Sequence, residues 1–298
     1  MPGTSKATNP RGYTIEFDEA SHTYHTKLTR GMMMSTTGAV VRGGAEPFAG
    51  VGKVAPTEDP NKLFGKVYYV SGTKVIHHFF PPFDPDGKIT ANKAKKMGIT
   101  VDELKFQWKQ KSAAACAMGT RVHETCEDVL HGRHDLLGKW DFRNKPQSIH
   151  EQKLMAAGFS AAQKVLQTME VIGVEQIVFD LDCQIAGTID LLCRDKSDPN
   201  LWFVLDWKTN EKIEFHNRFG VHGLFPIEHL EDCNGTHYAL QLSLYEFLLR
   251  IGKYIPHGAK VRRGIFHLTD DGPRFYELPD LSIEVRDMVI AMLEQPPF

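Results

Sequence analysis

The sequence lacks the features that would mark a compartment or a cofactor directly. Its five cysteines, Cys116, Cys126, Cys183, Cys193 and Cys233, are dispersed and include no Cys-x-x-Cys pair. That argues against a disulfide scaffold and against a compact zinc knuckle, so a reducing, intracellular compartment is expected. No segment approaches the roughly 18 uninterrupted apolar residues that cross a bilayer, and Met1-Pro2-Gly3-Thr4-Ser5-Lys6 has no apolar signal core. The chain is therefore expected neither to span a membrane nor to be secreted by the usual route. Charge of one sign is also missing: 35 Lys and Arg stand against 37 Asp and Glu, so bulk electrostatics announces no polyanionic partner. Internal repeats and low-complexity tracts are absent too.

What is present is a soluble globular composition, 42% hydrophobic and 24% charged over 298 residues, enough for one large domain or two small ones. Residues 1–104 read as an irregular N-terminal region of short strands and loops, packed on a core at 105–298. Tyr13-Thr14-Ile15-Glu16-Phe17 and Lys66-Val67-Tyr68-Tyr69-Val70 are its β-like runs. Phe79-Phe80-Pro81-Pro82-Phe83-Asp84-Pro85-Asp86-Gly87 leaves no room for a helix. Between Lys88 and Lys111, seven lysines face only Asp102 and Glu103, a local excess of five positive charges. A solvated surface is the ordinary reading of such a run.

From about residue 101 the texture turns periodic. Apolar spacing predicts helices over 109–131 and 149–170, strands over 174–181, 184–193 and 201–208, and a helix over 235–251. Strands follow over 261–268 and 274–278 around the turn Asp270-Asp271-Gly272, then a helix over 281–293. This α, α, β, β, β, α, β, β, α order builds an α/β mixed sheet with helices on both faces.

Two of these strands carry charge where apolar residues belong. In Ile185-Ala186-Gly187-Thr188-Ile189-Asp190-Leu191-Leu192, the period of two puts Ile189 and Leu191 on one face and Thr188, Asp190 and Leu192 on the other. In Phe203-Val204-Leu205-Asp206-Trp207-Lys208-Thr209, Asp206 and Lys208 share the face opposite Leu205 and Trp207. A hairpin over 195–200 would join the two strands. Burying carboxylates is costly without compensation, and two from neighbouring strands invite a divalent cation. One isolated strand acid would more simply meet solvent or a lysine. On the first helix Thr120, His123 and Glu127 fall on one stripe, so a single face aims an imidazole and a carboxylate together.

At this point the residues resemble the PD-(D/E)XK nuclease superfamily, in its RecB-like and phage-exonuclease-like branch. Gly119-Thr120-Arg121-Val122-His123, with Glu127 after it, looks like the family's histidine motif. Gly187-Thr188-Ile189-Asp190 resembles its first metal-binding acid motif, and Asp206-Trp207-Lys208 its (D/E)XK tripeptide. Tyr238-Ala239-Leu240-Gln241-Leu242-Ser243-Leu244-Tyr245 resembles the trailing Gln-xxx-Tyr motif. A looser likeness to an opening segment covers Phe17-Asp18, His22-Thr23-Tyr24 and Ser35-Thr36-Thr37.

The resemblance implies a restriction-endonuclease-like αβα sandwich that hydrolyses DNA phosphodiester bonds with Mg²⁺ or Mn²⁺. Asp190, Asp206, the Trp207 carbonyl and His123 would hold the metal, with Glu127 and Glu175 as supporting partners or additional ligands. Lys208 would orient or deprotonate the attacking water, and Gln241 would position it or contact a phosphate. Thr120, Arg121, Thr209, Tyr238 and Tyr245, with Lys93, Lys95 and Lys96 from the lysine-rich stretch, are the expected DNA contacts. Iron–sulfur members carry a cysteine trio near the C-terminus, whereas no cysteine follows Cys233, so no such cluster is expected. An exonuclease processing DNA ends is the implied activity. The alternatives are a structure-specific endonuclease and a non-catalytic nucleic-acid-binding module. A zinc peptidase is disfavoured because His123-Glu124 lacks the second helical histidine: position 127 is Glu.

Overall fold

The computed structural model of the chain describes residues 4–19, 21–29, 63–133 and 144–294. Ser35-Thr36-Thr37 lies outside these residues. Among the described residues nine strands form one mixed sheet in the order β1-β2-β3-β4-β6-β7-β8-β9, with β5 paired to β6 off this path. Strands β1 (Thr4–Thr8), β2 (Thr14–Asp18), β3 (Thr23–Thr29) and β4 (Leu63–Ser71) form an antiparallel series. It joins β6 (Ile185–Asp195) through a short parallel ladder, Val70–Ile185 and Ser71–Ala186. Strand β5 (Met169–Asp180) lies antiparallel to β6, β7 (Leu201–Lys208) is antiparallel to β6, and β8 (Lys260–Thr269) is parallel to β7. Strand β9 (Gly272–Leu278) closes the far edge.

The two faces of this sheet are apolar, and each is covered by helices, which makes the three-layer αβα arrangement. Helices α3 (Val101–Leu130) and α4 (Ile149–Thr168) cover one face, where Val122, Cys126, Leu154 and Ala161 meet Leu191, Leu205 and Trp207. Helices α5 (Asn234–Ile251) and α6 (Ser282–Glu294) cover the other, where Leu240, Leu244, Leu248 and Val285 meet Ile185, Ile189, Leu192 and Val204. The N-terminal strands add a cluster of their own, Ile15, Tyr24, Tyr69, Phe179 and Ala186.

Several elements differ from the sequence expectation. Residues 72–97, read as strands and loops, contain α1 (Gly72–His78) and α2 (Lys88–Met97). Helix α1 is too short for a periodic signal. It is set by the Ser71 N-cap and by Val75 and Ile76 buried beneath α5. Helix α2 lies between Gly87 and Gly98, the latter left-handed at φ 70°. Helix α3 begins at Val101, eight residues before the apolar periodicity. The Thr100 hydroxyl accepts the Glu103 N–H at 3.1 Å, and Asp102 and Glu103 suit the positive end of the helix. Residues 109–117 are exposed on every side, so no buried face marks them in the sequence. All five cysteines are free. Among the described residues no helix is long and apolar enough to cross a membrane.

Candidate active site and metal centre

The site sits where the sheet forks. Strand β7 pairs with β6 only over Leu191–Arg194, and β4 pairs with the same edge only at Ile185–Ala186. Gly187–Asp190 therefore lies in the mouth between two strands laid end to end. The next rung of the β6–β7 ladder would oppose Asp190 and Asp206. Instead the Trp207 N–H donates to Asp190 Oδ2 at 3.1 Å, so the carboxylate takes a backbone donor where the ladder stops. The alternation of β6 breaks here as well. Ile189 and Leu191, expected on one face, pack in opposite layers. On β5, Glu175 faces Asp190 with a left-handed φ of 49°, between the pairs Val174–Leu191 and Gln176–Ile189. That irregular pair disturbs the pleat at the position that carries the acid.

Around this mouth the charged groups converge. His123 Nδ1, from the half of α3 that packs on the sheet, lies 3.2 Å from Asp190 Oδ2. Asp190 and Asp206 lie close enough to shift each other's ionisation. Lys208 Nζ donates to Asp206 Oδ2 at 2.5 Å, and the two lie on the face opposite Leu205 and Trp207. Ligand atoms of His123, Glu175 and Asp190 all fall within 4.8 Å of one another. Glu127 is near enough to act electrostatically on Glu175.

These groups perturb one another as crowded acids must. Burial, then the charge of Asp206, holds Asp190 well above the carboxylate range. Burial also pushes Asp206 upward, but Lys208, Asp190 and His123 outweigh it and leave Asp206 below its ordinary value. Burial drives His123 down to about 4, against the pull of Asp206, so the imidazole is neutral at pH 7. Desolvation of its carboxyl, then Glu127 and Asp206, raises Glu175 to about 8; the residue keeps an exposed flank, so solvent screens part of this effect. Burial opposes the charge on Lys208, yet Asp206 and Asp190 raise it above the usual lysine range. Carboxyl oxygens and one neutral imidazole, forced to share protons, are the donor set that a hard divalent cation relieves.

The remaining expected residues divide. Tyr238 stacks beneath Lys208, whose Nζ is 4.6 Å from the ring centroid, and donates its hydroxyl to Asn210 Oδ1 at 2.7 Å. Gln241 Nε2 donates to the Tyr245 hydroxyl at 3.0 Å. Tyr245, expected to meet DNA, is buried at 4% exposure, because its ring fills the slot left by Gly187 and Gly72. Arg121 turns instead to Glu151, pairing through Nε at 2.6 Å and a second nitrogen at 3.1 Å. Thr120 is exposed and donates to the Cys116 carbonyl, and Thr209 borders Gly119 beside the cluster. Lys93, Lys95 and Lys96 stand on α2, next to the start of α3.

Sequence reasoning assigned no role to three nearby residues. Tyr24 of β3 bonds its hydroxyl to Thr188 Oγ1 at 2.8 Å, bringing the N-terminal strands to the acid motif. His267 of β8 donates through Nε2 to the Asn210 carbonyl at 2.7 Å, and Asn210 in turn holds Tyr238. Asn210 stands two residues after Lys208, its only signal; the other two reach the site through long-range pairing.

A family model of the PD-(D/E)XK nuclease superfamily matches residues 100–288, which contain His123, Glu175, Asp190, Asp206, Lys208 and the Gln241 helix. No curated protein matches the chain.

Proposed function

We propose that this chain, which belongs to the PD-(D/E)XK nuclease superfamily, is a Mg²⁺- or Mn²⁺-dependent deoxyribonuclease that processes DNA from its ends. The observation that carries the reading is the convergence of His123, Glu175 and Asp190, whose ligand atoms lie within 4.8 Å of one another in the mouth of the fork, beside Asp206 and the Lys208 ammonium 2.5 Å from it. Phosphodiester hydrolysis is hard because an anion must be attacked and an alkoxide must leave. Asp190, Asp206, His123 and Glu175 would hold a divalent cation, which when bound acidifies water and neutralises charge at the scissile phosphate.

This chain's own residues do the rest. Asp206 anchors the Lys208 ammonium, and the Tyr238 ring supports it from below. Lys208 can therefore donate hydrogen bonds to the attacking water and to a phosphate oxygen with little loss of side-chain freedom. Gln241 is fixed by Tyr245, so its carbonyl oxygen is free to orient the same water. Neutral His123 keeps a nitrogen lone pair available to a cation. Recognition of backbone and end requires no base reading.

The test is digestion of end-labelled linear DNA and covalently closed circular DNA, each with Mg²⁺, with Mn²⁺ and with EDTA. Linear DNA should be degraded with either metal, circles should resist, and EDTA should stop the reaction. Asp206→Ala and Lys208→Ala should each abolish cleavage while DNA binding persists, since affinity depends mainly on backbone contacts. Hydrolysis that survives EDTA, or purified Lys208→Ala that still cuts, would refute the mechanism. Cutting of circles at the same rate would replace the end-processing reading with an endonuclease.

A further inference from the structure

We infer a second nucleic-acid site, on the surface where α2 meets the exposed first half of α3, which takes single-stranded DNA by stacking its bases on aromatic rings. The inference rests on the nuclease reading for the kind of polymer, and on other residues for everything else. A ring that normally seeks a core is left in solvent here: Phe83 is 63% exposed. It is not loose. Trp108 takes the edge of Phe83 at 5.8 Å between centroids, and Lys93 Nζ lies 5.1 Å from the Trp108 centroid. The Phe83 loop is tied to α3 by the ion pair of Asp86 with Lys105. A fixed platform of rings interleaved with ammonium groups suits unstacked bases and their phosphates.

Charge complementarity points to the same occupant. Of the seven lysines of this stretch only Lys105 has an acidic partner among the described residues, which leaves Lys95, Lys96, Lys109 and Lys111 available to phosphate. A duplex hides its base faces and would use the lysines alone. A single strand uses both features, because every base offers a π-face.

The helix supplies the route from platform to metal centre. Lys105, Lys109, Ser112, Cys116, Thr120 and His123 follow at spacings of four and three, so they lie along one stripe of α3. Lys109, Ser112, Cys116 and Thr120 on that stripe are exposed, and the stripe ends at His123, 3.2 Å from Asp190. At 1.5 Å per residue, Trp108 stands about 22 Å from His123 along the axis. The platform would therefore grip a strand several nucleotides from the bond being cut.

The test is fluorescence anisotropy of the full chain with labelled dT20 and with a blunt hairpin duplex, in Ca²⁺ so that neither probe is consumed. Trp108→Ala and Phe83→Ala should each weaken dT20 binding by about 5- to 150-fold and change hairpin binding less than twofold. Phe83 is a surface ring, so its variant should fold; circular dichroism checks both. Phe219→Ala, which removes an 83% exposed ring elsewhere, should leave dT20 affinity unchanged. Unchanged dT20 binding in both platform variants, an equal loss for the hairpin, or a loss in Phe219→Ala overturns the inference. Failure of the nuclease reading looks different: no cleavage under any condition, with Trp108-dependent dT20 binding intact.

Discussion

Replacing Gly187 with alanine should break the coupling between the acid motif and the α5 motif. A Cβ built on Gly187 would lie 2.3 Å from Tyr245 Cε1 and 3.0 Å from Cζ, whereas carbon atoms rest at about 3.5–4.0 Å. The ring must retreat by more than an ångström, and it has nowhere to go. Its other flank lies against Gly72, whose own Cβ would stand 3.1 Å from the same Cε1. The ring is clamped between two backbones inside a core where it is 4% exposed. Overpacking of this kind costs about 1–3 kcal/mol, which for a chain of this size lowers Tm by on the order of 5 °C. The displaced hydroxyl would also release Gln241, and cleavage should fall with stability. Thermal unfolding by circular dichroism measures the first effect. Adding Tyr245→Leu to Gly187→Ala should recover stability relative to the sum of the single changes, with a coupling of about 0.5–3 kcal/mol. Strict additivity, or a Gly187→Ala protein that melts with its parent, would refute the clamp.

Arg121→Ala should destabilise the chain by about 3 kcal/mol in chemical denaturation, since it strands the 2% exposed Glu151 without its cation; a cost below about 1 kcal/mol would return Arg121 to a surface role. Glu16, held by hydrogen bonds from Lys27 and Lys6, titrates at about 2. Its folded value lies below its unfolded one, so its stabilisation is full above the ordinary glutamate range and lost as pH falls from about 4.5 to 2. The Tm difference between parent and Glu16→Gln should close over that window, and a pH-independent difference would contradict it. The Lys93→Ala/Lys95→Ala/Lys96→Ala protein should show a shallower slope of log affinity against log salt, by about 0.7–0.9 for each phosphate its ammonium groups no longer neutralise. An unchanged slope would leave these lysines to solvent.

The sequence revealed the site better than its surroundings, for physical reasons. Asp190, Asp206 and Lys208 stood out because an acid in a buried strand violates a short, strict period that any reader can check. Their convergence with His123 was legible because a helix stripe is also local. The break of alternation at Asp190 was not, because it depends on Glu175 across β5 and on β4 and β7 sharing one edge of β6. The burial of Tyr245 was hidden for a related reason: the slot that receives it is made by two glycines more than a hundred residues apart in sequence. Arg121, an expected DNA contact, pairs with Glu151 thirty residues along the chain, a contact that no local pattern announces. Helix α1 owes its place to packing under α5 and not to any pattern of its own.

The end-to-end placement of β4 and β7 also limits how this protein can be trimmed. The family match begins at residue 100, and a fragment cut there retains every acid of the cluster and the lysine. It would also strip Val70 and Ser71 from the edge of β6 at Ile185 and Ala186, baring strand backbone a few residues from Asp190. Val75, Ile76, Phe79 and Phe80 would leave the α5 layer with them, and Tyr245 would lose the wall at Gly72. An open, apolar strand edge is a template for pairing with another copy. The shortest soluble form of the enzyme therefore has to keep residues 63–80, although none of them belongs to the matched span.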